Sequence, residues 1–104
     1  MSTANPARGE ASFTVAGTEI LLRPSFAALV AAEQELGPLF ALVERAADGR
    51  LGIGEIASLF FHCAAALPDG VTRERIGQAI AEGGLARATP VLRVLLTQIL
   101  QGRV

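Results

Sequence analysis

Only one stretch of this chain alternates in polarity. Ala11, Phe13 and Val15 fall on one face, while Glu10, Ser12 and Thr14 fall on the other. That period of two belongs to a half-buried strand. Ala16-Gly17 then forms a tight turn, because glycine accepts a positive φ. Thr18 to Arg23 returns as a second strand with Ile20 and Leu22 facing inward, although Leu21 interrupts the alternation. Pro24 closes this strand, since proline has no N–H to give a ladder. A lone hairpin is marginal in water, so it must lean on the rest of the chain, and everything after Pro24 reads with a helical period. The chain is therefore held to an α+β class: an N-terminal β-hairpin packed on a bundle of four to five short α-helices.

Punctuation sets the element bounds. Residues 1–8 are small and polar and are expected to be a flexible tail. A single domain over 9–104 then holds the hairpin (9–24) and helices at about 26–36, 38–47, 53–67, 73–82 and 90–101. Ser25 caps the first helix, and Gly37-Pro38 stops it and starts the second. In the third helix Ile56, Leu59, Phe60, Cys63 and Leu67 form one stripe, widened by Ile53, Ala57, Phe61 and Ala64. An arc that broad belongs to a central helix contacted on two sides. Thr72 caps the fourth helix and Gly83-Gly84 stops it. Leu85 to Ala88 is a linker or an early helical turn, and Thr89-Pro90 then reads as an N-cap and first helical position for the fifth. In that helix Arg93, Thr97 and Gln101 form a polar stripe with Gln98 adjoining it, and Leu92, Leu95, Leu96 and Ile99 form the opposite face.

Glu33 is out of place on this map. Phe26, Leu29 and Val30 lead up to it at helical spacing and Leu36 comes after it, which sets a carboxylate on an apolar face. It is expected to be a partly buried structural group that accepts N–H bonds from another helix start or pairs with Arg23. The sharper alternative makes it part of a partner-binding face. Glu35 reads as a solvated surface charge. His62-Cys63 is the one pairing with a hint of metal or nucleophile chemistry. Neighbouring helical residues point about 100° apart, and the chain has no further His or Cys to complete a site. A core cysteine beside an edge histidine is the plainer reading. No catalytic set, metal or cofactor is expected, and the chain reads as no enzyme.

Composition narrows the partners. The chain is 51% apolar and 18% charged, against typical values of about 45–50% and about 25%. It has either a large core or apolar surface kept for a partner. Net charge is −1 and the nine arginines are scattered, so no phosphate-tracking stripe forms. A DNA-binding regulator remains as an alternative, with the third and fourth helices mimicking a helix-turn-helix and offering Arg73, Arg75 and Gln78. Lysine is absent, which excludes a G-x-x-x-x-G-K phosphate loop. One cysteine allows no internal disulfide and fits a reducing cytoplasm. The N-terminus has no apolar core of a signal peptide. The longest run without charge, Ile56 to Pro68, is thirteen residues, too short to span a bilayer. The Ala-, Gly- and Arg-rich usage fits a GC-rich bacterial genome, so a bacterial cytoplasmic protein is expected.

One sequence of short motifs runs through the first half. It comprises Gly9-Glu10, Gly17, Leu22-Arg23-x-Ser25-Phe26-x-x-Leu29, Glu33-x-x-Leu36-Gly37, Leu39-x-x-Leu42 and Gly49. This order resembles the small tail assembly chaperone family of gene transfer agents and related siphophage-like prophages, best over residues 9–50. The resemblance implies a non-enzymatic role in building a phage-like tail. Members of that family are thought to hold the tape-measure protein soluble, help recruit tail-tube subunits, and leave before maturation. The tape-measure and tail-tube proteins are thus the implied partners. Phage relatives often have an elongated frameshift form, and a chain stopping at Val104 corresponds to the short one. A structural tail component retained in the particle is the alternative within assembly.

The candidate partner-binding or structural residues are Glu33, Leu36 and Gly37, as matched positions, together with Val91, Val94 and Leu100. The last three extend the apolar face of the fifth helix. That flank either completes the core or is left for a partner helix or a homo-oligomer. Complete burial of all three within one copy would remove the second possibility.

Overall fold

The computed structural model describes residues 4–5 and 8–102. Strand β1 (Ala11–Val15) pairs antiparallel with β2 (Thr18–Leu22), Phe13 facing Ile20 across the ladder and Val15 facing Thr18. Ala16 and Gly17 join them with φ of 50° and 81°. Two positive φ values make the mirror-image turn whose twist suits a two-residue hairpin. Ala11, Phe13, Val15, Ile20 and Leu22 are all buried, as the alternation predicts. Leu21 is half-buried on the other face.

Five helices complete the chain: α1 (Phe26–Leu36), α2 (Leu39–Ala47), α3 (Ile53–Cys63), α4 (Arg73–Gly83) and α5 (Leu85–Gln101). Side chains satisfy N–H groups left open at their starts. Ser25 Oγ accepts the Ala28 N–H at 3.2 Å, and Thr72 Oγ1 accepts the Arg75 N–H at 3.3 Å. Gly37, with φ of 89°, ends α1 and turns the chain into α2. Pro38 is the N-cap of α2 rather than its first helical residue.

The core is built around α3, which packs against α1 on one side and α4 on the other. Its Ile56, Ala57, Leu59, Phe60 and Cys63 are buried, as are Ile76 and Ile80 of α4 and Leu95 of α5. The Phe13 and Phe60 rings meet edge to face, with centroids 5.3 Å apart. This contact fastens the hairpin to the bundle. Each large side chain buried here contributes about 1.5–3 kcal/mol.

Two helices have bounds other than those expected. Helix α3 ends at Cys63, not near residue 67, because the backbone beyond it pairs with β2. Ala64 forms a bridge to Leu22, the Arg23 N–H donates to the Cys63 carbonyl at 2.7 Å, and the Ala65 N–H donates to the Leu21 carbonyl at 2.9 Å. Leu67 therefore leaves the apolar stripe and is exposed. Helix α5 starts five residues early, at Leu85. Gly84, with φ of 88°, both ends α4 and begins α5. Thr89 is thus no N-cap, and its Oγ1 donates to the Leu85 carbonyl at 2.7 Å. Pro90 lies within the helix and denies the Ala86 carbonyl its usual donor. Both residues are exposed, so water can serve that carbonyl.

Of the expected N-terminal tail, residues 1–3 and 6–7 lie outside the described residues. Asn5 is tied to the domain: its N–H donates to Glu10 Oε1 at 3.2 Å, and its carbonyl accepts from the Arg8 and Glu10 N–H groups. No single described helix is long and apolar enough to cross a membrane. Helices α1 and α2 reach that length only together, and they are bent by 75°.

Candidate partner-binding surface

The face of α1 that leads to Glu33 turns outward. Ala28 and Ala32 are the buried residues of this helix, and Leu29 and Leu36 pack at the core margin. Two alanines let α1 lie close against α3, which leaves no room there for larger side chains. Phe26, Val30 and Glu33 (i, i+4, i+7) share the opposite stripe. Phe26 is 85% exposed and Val30 38% exposed. Glu33 is exposed too, which corrects the expectation of partial burial. Its Oε2 accepts the Leu39 N–H at 3.1 Å, the first N–H of α2. The expected bond to another helix start is present, whereas the alternative pairing with Arg23 is not. Arg23 Nε instead donates to Glu10 Oε2 at 2.7 Å. Glu10, expected on the polar face of the hairpin, is buried. The hydrogen bond from Arg23 holds its carboxyl below the ordinary range, against the opposing effect of desolvation.

The stripe opens into a trough between α2 and α5. A hollow of about 270 Å³ is lined by Glu33, Pro38, Leu39, Phe40, Val43, Ile99 and Leu100. A second, of about 280 Å³, adjoins it and shares Val43 and Leu100. Phe40 is 77% and Leu100 53% exposed at the lip. Two candidate residues distant in sequence, Glu33 and Leu100, thus line one hollow. Gly37 forms the turn beside it, and Leu36 packs at the core margin. Val91 and Val94 are half-buried on the other flank of α5, Val94 about 120° around the helix from Leu100. Val91 packs on the core and borders a separate cavity of about 460 Å³ between β1, α4 and α5.

Glu35 proves to be a hub and not a free surface charge. Its carboxylate lies 2.6 Å from His62 Nε2 and accepts from Arg73 and, at 3.1 Å, from Ser58 Oγ. The His62 contact, reinforced by Arg73 and Ser58, holds this carboxyl below the ordinary range. The Arg73 guanidinium also lies 4.6 Å from the centroid of the Phe61 ring. Ser58 and His62 sit four apart on α3, so a polar pair within its apolar run from Ile56 to Cys63 was the available signal that a partner was needed. Ser58 is buried and bonded to Glu35, so the cluster ties α1, α3 and α4 together. Arg73, one of the side chains a DNA-reading fourth helix would offer, is committed to this tie. Burial pushes the Cys63 thiol up to about 12, which leaves it unreactive. Among the described residues no three His, Cys, Asp or Glu side chains gather to hold a metal ion.

Residues 8–102 match the family described as phage tail tube protein, GTA-gp10. The chain belongs to that family. Membership supports a phage or gene transfer agent tail-related protein, the coarser part of what the sequence resemblance implies; the description names a tail tube protein and not a chaperone. No curated protein and no solved structure matches the chain.

Within this tail-related chain, most of the motif positions have a folding duty. A Cβ on Gly9, where φ is 74°, would overlap the Gln98 side chain, so α5 can close over the hairpin entrance only at a glycine. Glu10 and Arg23 pair, Ser25 caps α1, Glu33 caps α2, and Leu42 is buried. Phe26 is the exception: it belongs to the motif and points into solvent.

Proposed function

We propose that this chain acts without catalysis in building a phage-like tail, as an assembly chaperone in the bacterial cytoplasm. It covers an apolar helical segment of a tail client, with the tape-measure protein as the expected client, and then releases it. The observation that carries this reading is the outward stripe of α1. Phe26 and Val30 contribute nothing to the core, yet they are held on a helix capped at both ends. Apolar side chains held outward in line in this way offer a contact surface to another molecule. Covering ~300 Å² of it would give ~7 kcal/mol gross, most of which association costs remove. Binding of that strength is reversible, as a released chaperone requires.

Co-expression with the tape-measure protein tests this reading. The client should stay soluble with the wild-type chain and pellet with a Phe26→Ser/Val30→Ser variant that keeps its melting temperature. Equal solubility of the client without this chain would end the proposal. A second reading, a structural component that stays in the tail, is favoured by the family's description as a tail tube protein. Stoichiometric recovery of the chain from purified mature particles would put that reading in its place.

A further inference from the structure

We infer that the trough between α2 and α5 is closed by the same trough of a second copy, across a two-fold axis. Its two hollows share Val43 and Leu100, which therefore mark its middle. The ends differ in both charge and shape. One end carries Glu33 and the projecting Phe40. The other carries Arg93 over a hollow walled by the small residues Ala46 and Ala47. A two-fold through the middle exchanges the ends. The Phe40 ring of each copy then enters the alanine-walled hollow of the other, and Glu33 of each copy faces Arg93 of the other. Among the described residues Arg93 makes no ion pair, and Glu33 bonds only to the Leu39 N–H. Both charges are available to a neighbour.

The same patch serves both copies, so the contact closes at two and does not propagate. The hollows are lined by α5 from Thr89 to Gln101, thirteen residues, which gives the trough a length of ~20 Å. Two helix widths then make a face of ~400 Å² per copy. That is below the ~800 Å² of a standard interface, so the dimer is a weak one that forms in the micromolar range. Phe26 and Val30, farther along the α1 stripe than Glu33, line neither hollow and remain open for a client.

Sedimentation velocity over a micromolar concentration series tests this pairing. The wild-type chain should shift from monomer to dimer. Phe40→Glu should remain monomeric. Arg93→Glu, which breaks no described side-chain contact of its own copy, should weaken the dimer about tenfold. The double variant Glu33→Arg/Arg93→Glu should restore it, because the ends are reversed together. Circular dichroism confirms that each variant is folded. A wild-type chain that stays monomeric throughout overturns the inference, and so does an Arg93→Glu dimer of unchanged strength. Loss of the dimer in Phe26→Ser/Val30→Ser would show that the α1 stripe is the contact instead. A monomeric wild type whose Phe40→Glu variant fails to keep the tape-measure protein soluble would assign the trough to the client.

Discussion

Ala16 is the one described residue other than glycine with a positive φ, at 50° in the hairpin turn. An L-residue held there costs about 1–2 kcal/mol, whereas asparagine tolerates it far better. Ala16→Asn should therefore stabilise the protein by about 1 kcal/mol and raise the melting temperature by about 4–8 °C. A thermal melt with no increase would mean that the turn relaxes in solution. The sequence shows that a turn lies here but not that the alanine bears its strain, because Gly17 alone satisfies a simple glycine rule. Glu33 shows a second limit of reading residue by residue. Helical spacing correctly links it to Phe26 and Val30, but spacing does not say which face turns inward. Two alanines, Ala28 and Ala32, settle that through their small size. The role of Glu35 is illegible in the sequence because its partners Ser58, His62 and Arg73 are 23, 27 and 38 residues away.

Among the elements, α1, α2 and α4 end within a residue of where their caps and glycines place them, because those stop signals are local. Helix α3 departs from its expected length because its end is decided by pairing with β2, a contact between residues far apart in sequence. Helix α5 departs because Thr89-Pro90 imitates a start that Gly84 has already provided. Helix α2 is short, with nine residues, and its first N–H is met by a side chain from α1. Glu33→Ala should cost about 0.5–1 kcal/mol and speed amide exchange in the first turn of α2, with little change in α4. Glu33→Gln keeps an acceptor and should cost less. A loss as large as that of a core truncation would mean that Glu33 is buried in solution. Hydrogen exchange together with denaturant melts separates the two outcomes.

For the whole molecule, three carboxylates set the response to acid. Glu10 is lowered chiefly by its bond from Arg23, Glu35 by His62, and Glu55 by the Gly52 N–H followed by Arg45. A folded pKa below the unfolded value means that the native state binds fewer protons, so each group stabilises the fold above its unfolded pKa. That contribution is lost as pH falls below the ordinary value of 4.5 through the folded values. Urea midpoints should therefore be level from neutral pH to about 5 and fall below that, and Glu35→Gln should flatten the fall. An unchanged slope in that variant would mean that the hub does not persist in solution. The fold class was legible because only one stretch alternates. The trough was not, since it joins residues as distant as Glu33 and Leu100 that line one hollow only once the chain has folded. The pairing of Ala64 and Ala65 with β2 has one more consequence. A two-stranded hairpin ordinarily exposes two ribbons of backbone on which foreign strands can grow. Here the chain's own residues cover the end of one ribbon, from Leu21 to Arg23, while α4 and α5 flank the other. Copies accumulating in a cell therefore offer one another little of the open strand edge on which fibrils begin.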